Sequence, residues 1–145
     1  MTKILVINGP NLNNLGRRDP GQYGSKTLPE IETAISNRAG ELGVDVQFFQ
    51  SNHEGELVDA IHAARGRCVG IVVNPGAFTH YAWAIHDALA AFEGPVVELH
   101  LSNPAAREPW RHTSVVAPVA SGTIAGFGGA GYRMAVEAVA DLLDG

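Results

Sequence analysis

Cysteine is almost missing from this chain. The single one, Cys68, has no partner for an internal disulfide and precedes the apolar run Val69 to Val73, which suits a buried core thiol better than a nucleophile. Charge is sparse too: charged residues are 17% of the 145, and the net charge is −5. No basic patch is present, so neither nucleic acid nor an anionic membrane is an expected partner. No apolar run nears the roughly 18 residues of a membrane span and no signal-peptide pattern is present, so the sequence reads as soluble and cytoplasmic. No HxH, HExxH or CxxC spacing exists, and His80, His86 and His100 with Glu98 and Asp87 form no recognised ligand pattern, so no metal is expected. No Gly-Lys-Ser/Thr follows a glycine-rich turn. Gly126 to Gly131 has glycines at dinucleotide-like spacing, but it follows the last strand rather than the first, so it reads as a tightly packed turn. Linkers and internal repeats are absent as well. With 46% apolar residues, the chain is expected to be a single domain over 1–145.

What the sequence does have is an unusual stretch from Gly9 to Gly24, GPNLNNLGRRDPGQYG, directly after the strand pattern Lys3 to Asn8. Four glycines, two prolines and three asparagines should prevent any regular element from running through it. A structureless loop of about sixteen residues is long for a compact domain, and such loops are usually lids, binding loops or disorder. Leu12, Leu15 and Tyr23 argue for a lid, one that carries two guanidiniums, Arg17 and Arg18, and one phenol.

Beyond that loop the pattern alternates. Thr27-Leu28-Pro29-Glu30 is a capping-box start for a helix that stops at Gly43. Strands are expected at Val44 to Phe49, Cys68 to Asn74, Val96 to Leu101 and Thr123 to Gly126. Helices are expected at Glu56 to Arg65, about Tyr81 to Phe92, and Tyr132 to Leu143. Five β-to-α alternations predict an α/β fold: a flavodoxin-like, doubly wound, five-stranded parallel sheet of order 2-1-3-4-5. Ligands in such sheets bind at the carboxyl ends of the strands, near the switch point between strands 1 and 3. Polar residues do collect there: Asn8 and Asn11 after strand 1, Asn74 and His80 after strand 3, and His100, Ser102 and Arg111 at or after strand 4.

These residues could abstract a proton next to a carbonyl. A phenol, with an ordinary pKa of about 10, is a poor base at neutral pH, but a nearby guanidinium favours the phenolate. Tyr23 is therefore either a base or an anchor that packs the lid on the body. Asn11 could donate to an oxygen on which charge develops. Glu98 and His100 lie two apart on a strand and so share a face, where the carboxylate could orient the imidazole as an acid. Asn74-Pro75-Gly76 is either a binding turn or a plain one.

Four long stretches carry a likeness along essentially the whole chain: NGPNLNNLGRRDPGQYG (8–24), QSNHEGELVDAIHAARG (50–66), NPGAFTHYAWAIHDAL (74–89) and ELHLSNPAAREPWRHTS (98–114). In these the sequence resembles the type II 3-dehydroquinate dehydratases (type II dehydroquinases). The resemblance implies a flavodoxin-like fold, trimers that assemble into a dodecamer, and a lyase that eliminates water from 3-dehydroquinate to give 3-dehydroshikimate without a cofactor, metal or Schiff base. The only lysines, Lys3 and Lys26, do not lie where a Schiff-base residue would be expected. Position by position, the resemblance makes Tyr23 the base and Arg18 its lid arginine. Asn11 stabilises the enolate through a water, and His100 is the acid, oriented by Glu98. Asn74, His80, Ser102 and Arg111 bind substrate, the backbone N–H groups of Leu101 and Ser102 cradle its carboxylate, and Asp87 reaches the neighbouring subunit's site. Departures from the family pattern fall at Asn14, Asp19, Ala82, Leu99 and Pro109-Trp110, none of them a position with a chemical role. A flavodoxin-like module that binds a small acid without turnover is the alternative from another class.

Overall fold

The computed structural model describes residues 2–145. Its strands are β1 (Lys3–Asn8), β2 (Asp45–Gln50), β3 (Gly70–Asn74), β4 (Val96–His100) and β5 (Gly122–Ala125). They form one parallel sheet in the order β2-β1-β3-β4-β5. Five helices accompany them: α1 (Pro20–Tyr23), α2 (Leu28–Leu42), α3 (Glu54–Ala64), α4 (Trp83–Ala90) and α5 (Ala130–Asp144). This is the flavodoxin-like arrangement the alternation predicts.

Successive residues on a strand face opposite ways, so each buried strand feeds two cores. Ile4 and Val6 of β1 pack with Val72, Val97 and Leu99 beneath α2 and α5. Leu5 and Ile7 pack with Ile71, Val73 and Val96 beneath α3 and α4. Cys68 is buried in the second core, as expected of a structural thiol, and burial pushes its pKa up. No helix among the described residues is long and apolar enough to cross a membrane.

Helix α2 starts as its sequence indicates. The Thr27 hydroxyl accepts the Glu30 N–H (3.3 Å), and the Glu30 carboxylate accepts the Thr27 N–H (3.1 Å). The close-packed reading of the Gly126–Gly131 turn also holds. A Cβ on Gly131 would lie 2.8 Å from Leu99 Cδ1, so glycine lets α5 settle on β4.

Several boundaries differ from expectation. The segment after β1 is not structureless: a 3-10 turn occupies Leu12–Asn14, and α1 follows at Pro20–Tyr23. Proline is tolerated at the first helical position because that N–H has no helical acceptor anyway. Helix α3 begins two residues early, at Glu54, because the Ser51 hydroxyl accepts the His53 N–H (2.9 Å), meets the Glu56 carboxylate and turns the chain at once. Helix α4 begins late, at Trp83. A 3-10 segment, Gly76–His80, comes first, closed by a bond from the Thr79 hydroxyl to the Gly76 carbonyl (2.6 Å). Past Ala90 the Phe92 N–H bonds Leu89, three residues back, so the last turn tightens to 3-10.

Candidate active site

The carboxyl ends of β1, β3 and β4 open into a cavity of about 200 Å³. Its floor is the switch point. There Gly9 N–H donates to the Asn74 carbonyl (2.8 Å), and a Cβ on Gly9 would come within 2.4 Å of the Pro75 carbonyl oxygen. Only a residue without a side chain lets the two strand ends meet this closely. The next bend puts Asn11 in the left-handed region at φ 69°, where asparagine is tolerated. Its backbone N–H is held by Asn52 Oδ1 (2.9 Å), and Gln50 Nε2 donates to the Gly9 carbonyl (3.1 Å). The last residue of β2 and Asn52 just beyond it thus fix the loop after β1, leaving the Asn11 side chain to line the cavity.

Tyr23 faces the same cavity from the last turn of α1. Two guanidiniums address its oxygen: Arg107 Nη1 donates at 2.9 Å and Arg18 Nη2 at 3.4 Å. Arg18 also lies 4.4 Å from the centre of the ring. Arg107 donates further to the Ser102 hydroxyl (3.1 Å), so one side chain ties the lid tyrosine to the loop after β4.

At the end of β4, Glu98 is 1% exposed and its carboxylate lies 2.6 Å from His100 Nε2. Ser114 also donates its hydroxyl proton to Glu98 (3.0 Å), and its oxygen accepts the N–H groups of Val116 (3.1 Å) and Ala117 (2.9 Å). With Nε2 engaged by Glu98, Nδ1 is the His100 nitrogen left for a ligand. No protein acceptor among the described residues takes the N–H of Leu101 or Ser102.

The far rim is cationic and aromatic. His80 Nδ1 donates to the Thr113 carbonyl (2.7 Å), which leaves its Nε2 free. Arg111 stacks on Trp110 at 4.0 Å and bonds Glu108 (2.9 Å), and that bond holds the Glu108 carboxyl below its usual range. Trp110 meets the His80 ring edge to face at 5.3 Å.

The family model for class II dehydroquinase matches residues 2–140. The chain belongs to the class II dehydroquinase family. It is 57% identical over 140 residues to "3-dehydroquinate dehydratase 2" of Pseudomonas putida, covering 97% of this chain and 94% of that one. It is 54% identical over 137 residues to the 3-dehydroquinate dehydratase of Bacillus subtilis, covering 94% and 93%. The crystal structure of the type II dehydroquinase from Butyrivibrio crossotus superposes with a TM-score of 0.93 at 45% identity, covering 95% of this chain and 97% of that one. As a member of this family the chain is a hydro-lyase.

Asn11, Arg18, Tyr23, Asn74, His80, His100, Leu101, Ser102 and Arg111, all named from sequence, line this one dehydroquinase cavity. Glu98 stands behind His100 rather than on the wall. Asp87 lies outside the cavity, on α4, with its side chain 83% exposed and its carboxylate 3.0 Å from His86 Nδ1. Sequence reasoning missed Arg107. It paired Arg17 with Arg18 as the lid's guanidiniums, yet Arg17 is exposed and does not line the cavity, and the second guanidinium at the phenol comes from Arg107, 84 residues away. The available signal was topological: Arg107 follows β4, whose carboxyl end faces the switch point. Among the described residues no three His, Cys, Asp or Glu side chains converge as a metal site.

Proposed function

We propose that this class II dehydroquinase carries out the anti elimination of water from 3-dehydroquinate through an enolate, with Tyr23 as base and His100 as acid. One observation carries the reading: a phenol oxygen held by two guanidiniums and a histidine backed by a buried carboxylate line the same small cavity. Tyr23, its oxygen hydrogen-bonded by Arg18 and Arg107, takes the proton alpha to the ketone as the base. The electron pair moves onto the carbonyl oxygen as an enolate, and Asn11 stabilises it through a water. The enolate then collapses as the C1 hydroxyl leaves, taking a proton from His100 to depart as water. Transfer of the Tyr23 proton to His100 through solvent restores both groups. The balance is one substrate to 3-dehydroshikimate and one water, with no electron transfer, and hence no step that needs a cofactor.

Binding rests on the rest of the wall. Arg111, His80, Ser102 and Asn74 offer donors to the substrate's oxygens, and the free N–H groups of Leu101 and Ser102 suit its carboxylate. Asp87 is exposed and does not line its own cavity, which supports the reading that it serves a neighbouring subunit's site in a trimer, with trimers assembling into a dodecamer. The enzyme's product would serve the shikimate pathway or quinate breakdown.

The direct test is formation of the conjugated enone from 3-dehydroquinate, followed by ultraviolet absorbance, with EDTA present and after borohydride treatment. Turnover is expected to survive both. Loss to EDTA would require a metal, and loss to borohydride in the presence of substrate would require a Schiff base; either result overturns the mechanism.

A further inference from the structure

Behind Asn74, which lines the cavity, lies a polar cluster whose other members, Asn8 and Tyr132, have no part in the proposed chemistry. Asn8 and Asn74 are the last residues of β1 and β3 and are partners in the strand register. Both are buried, at 1% and 3% exposure. Strand alternation puts them on the α2–α5 face, with Ile4, Val6 and Val72. Tyr132, in the first turn of α5, is completely buried and reaches between them. Asn74 Nδ2 donates to the Tyr132 oxygen (3.0 Å), the Tyr132 hydroxyl donates to Asn8 Oδ1 (2.5 Å), and Gly76 N–H donates to Asn74 Oδ1 (3.3 Å).

Counting hydrogens gives the cluster one direction. A backbone N–H can only donate, so Gly76 obliges Asn74 to present its carbonyl oxygen to that side. The amide nitrogen then faces Tyr132, whose oxygen must accept. The single phenolic proton is left for Asn8. Burial drives the Tyr132 pKa well above its ordinary value, so the hydroxyl keeps that proton. Asn8 supplies an uncharged acceptor, and its own Nδ2 is buried with no partner among the described residues. An apolar side chain at position 8 would avoid that orphan donor, but it would free the Tyr132 proton to compete for Asn74. One Asn74 N–H remains uncommitted, and Asn74 lines the cavity.

We infer that Tyr132 is a positioning residue, which with Asn8 locks the Asn74 amide so that it offers the cavity an N–H donor and not a carbonyl oxygen. That donor suits a carboxylate or ketone oxygen of the substrate, which can only accept; the wrong face of the amide would set acceptor against acceptor. The inference rests on reading this cavity as the dehydroquinate site.

The test compares kcat, per folded site, with KM for 3-dehydroquinate in Tyr132→Phe, Asn74→Ala and the double variant. Phenylalanine keeps the ring that fills the core and removes the hydroxyl. A positioning role predicts a KM raised about tenfold in Tyr132→Phe with kcat little changed, since an interaction made equally in ground and transition states moves KM alone. Adding Tyr132→Phe to Asn74→Ala should then raise KM no further. A purely structural role lowers the number of active sites and leaves KM where it was; that result, or effects that multiply in the double variant, overturns the inference. Asn8→Leu covers the case in which Tyr132→Phe does not fold: it keeps the phenol, releases its proton towards Asn74, and should raise KM similarly, whereas an unchanged KM overturns the inference. The wild-type protein separates the two levels. If it fails to turn over dehydroquinate, the functional reading fails; if it turns over while KM in the variants stays put, only this inference does.

Discussion

Tyr23 draws its neighbours from two distant places in the chain, and that decides what single substitutions should do. Arg18 sits five residues away on the same lid, whereas Arg107 arrives from beyond β4. Tyr23→Phe removes only the oxygen, so kcat should fall by roughly 10²–10⁴-fold, the usual worth of a general base, with an unchanged circular dichroism spectrum. A variant with near-normal turnover would take Tyr23 out of the base role. Arg107→Ala should lower kcat about 10- to 100-fold, because charge-assisted bonds to Tyr23 and Ser102 go together. Arg17→Ala should stay within about twofold, and equal effects from both arginines would contradict the geometry. The arginine beside a motif is easy to read from sequence; the one that folding delivers is not. Glu98 and His100 were legible because spacing of two on a strand is itself a geometric statement. Ser114 was not, since a serine in a loop after Arg111 gives no hint that its proton goes to Glu98.

At the scale of elements, legibility followed length. Helix α2 has fifteen residues, an apolar stripe and a capping box, and its start and stop were readable from sequence. Thr27→Ala should therefore cost about 1 kcal/mol of stability, the normal worth of such a cap, read as a lower denaturant midpoint with turnover retained. No change in midpoint would mean that the cap bonds contribute nothing net. The one-turn segments Leu12–Asn14 and Pro20–Tyr23 escaped notice because a single turn is too short to repeat a hydrophobic period, and their Pro and Gly content argues locally against any helix. Burial of Leu12 and Leu15 under the first core overrides that local preference.

The architecture of the whole molecule was the most legible level. Alternating strands and helices leave few topologies, and the order 2-1-3-4-5 puts the carboxyl ends of β1, β3 and β4 side by side. Asp87, exposed on α4, lies outside the cavity its own chain builds. If it acts across a subunit boundary, Asp87→Ala and Tyr23→Phe chains, each impaired alone, should regain part of their turnover when unfolded together and reassembled. A mixed oligomer then contains sites with an intact Tyr23 from one chain and an intact Asp87 from another. No recovery in verified mixed oligomers would rule out a role in trans. The bond between Tyr132 and Asn8 has a consequence for how the protein is made. It joins residues 124 positions apart, from the first strand and the last helix. A growing chain on the ribosome can pair β1, β2 and β3 and bury much of the second core, beneath α3 and α4, before α5 exists to cover the first. The amide of Asn74 is held from the Gly76 side alone until that helix arrives, so the site is finished only when almost the whole chain has been synthesised.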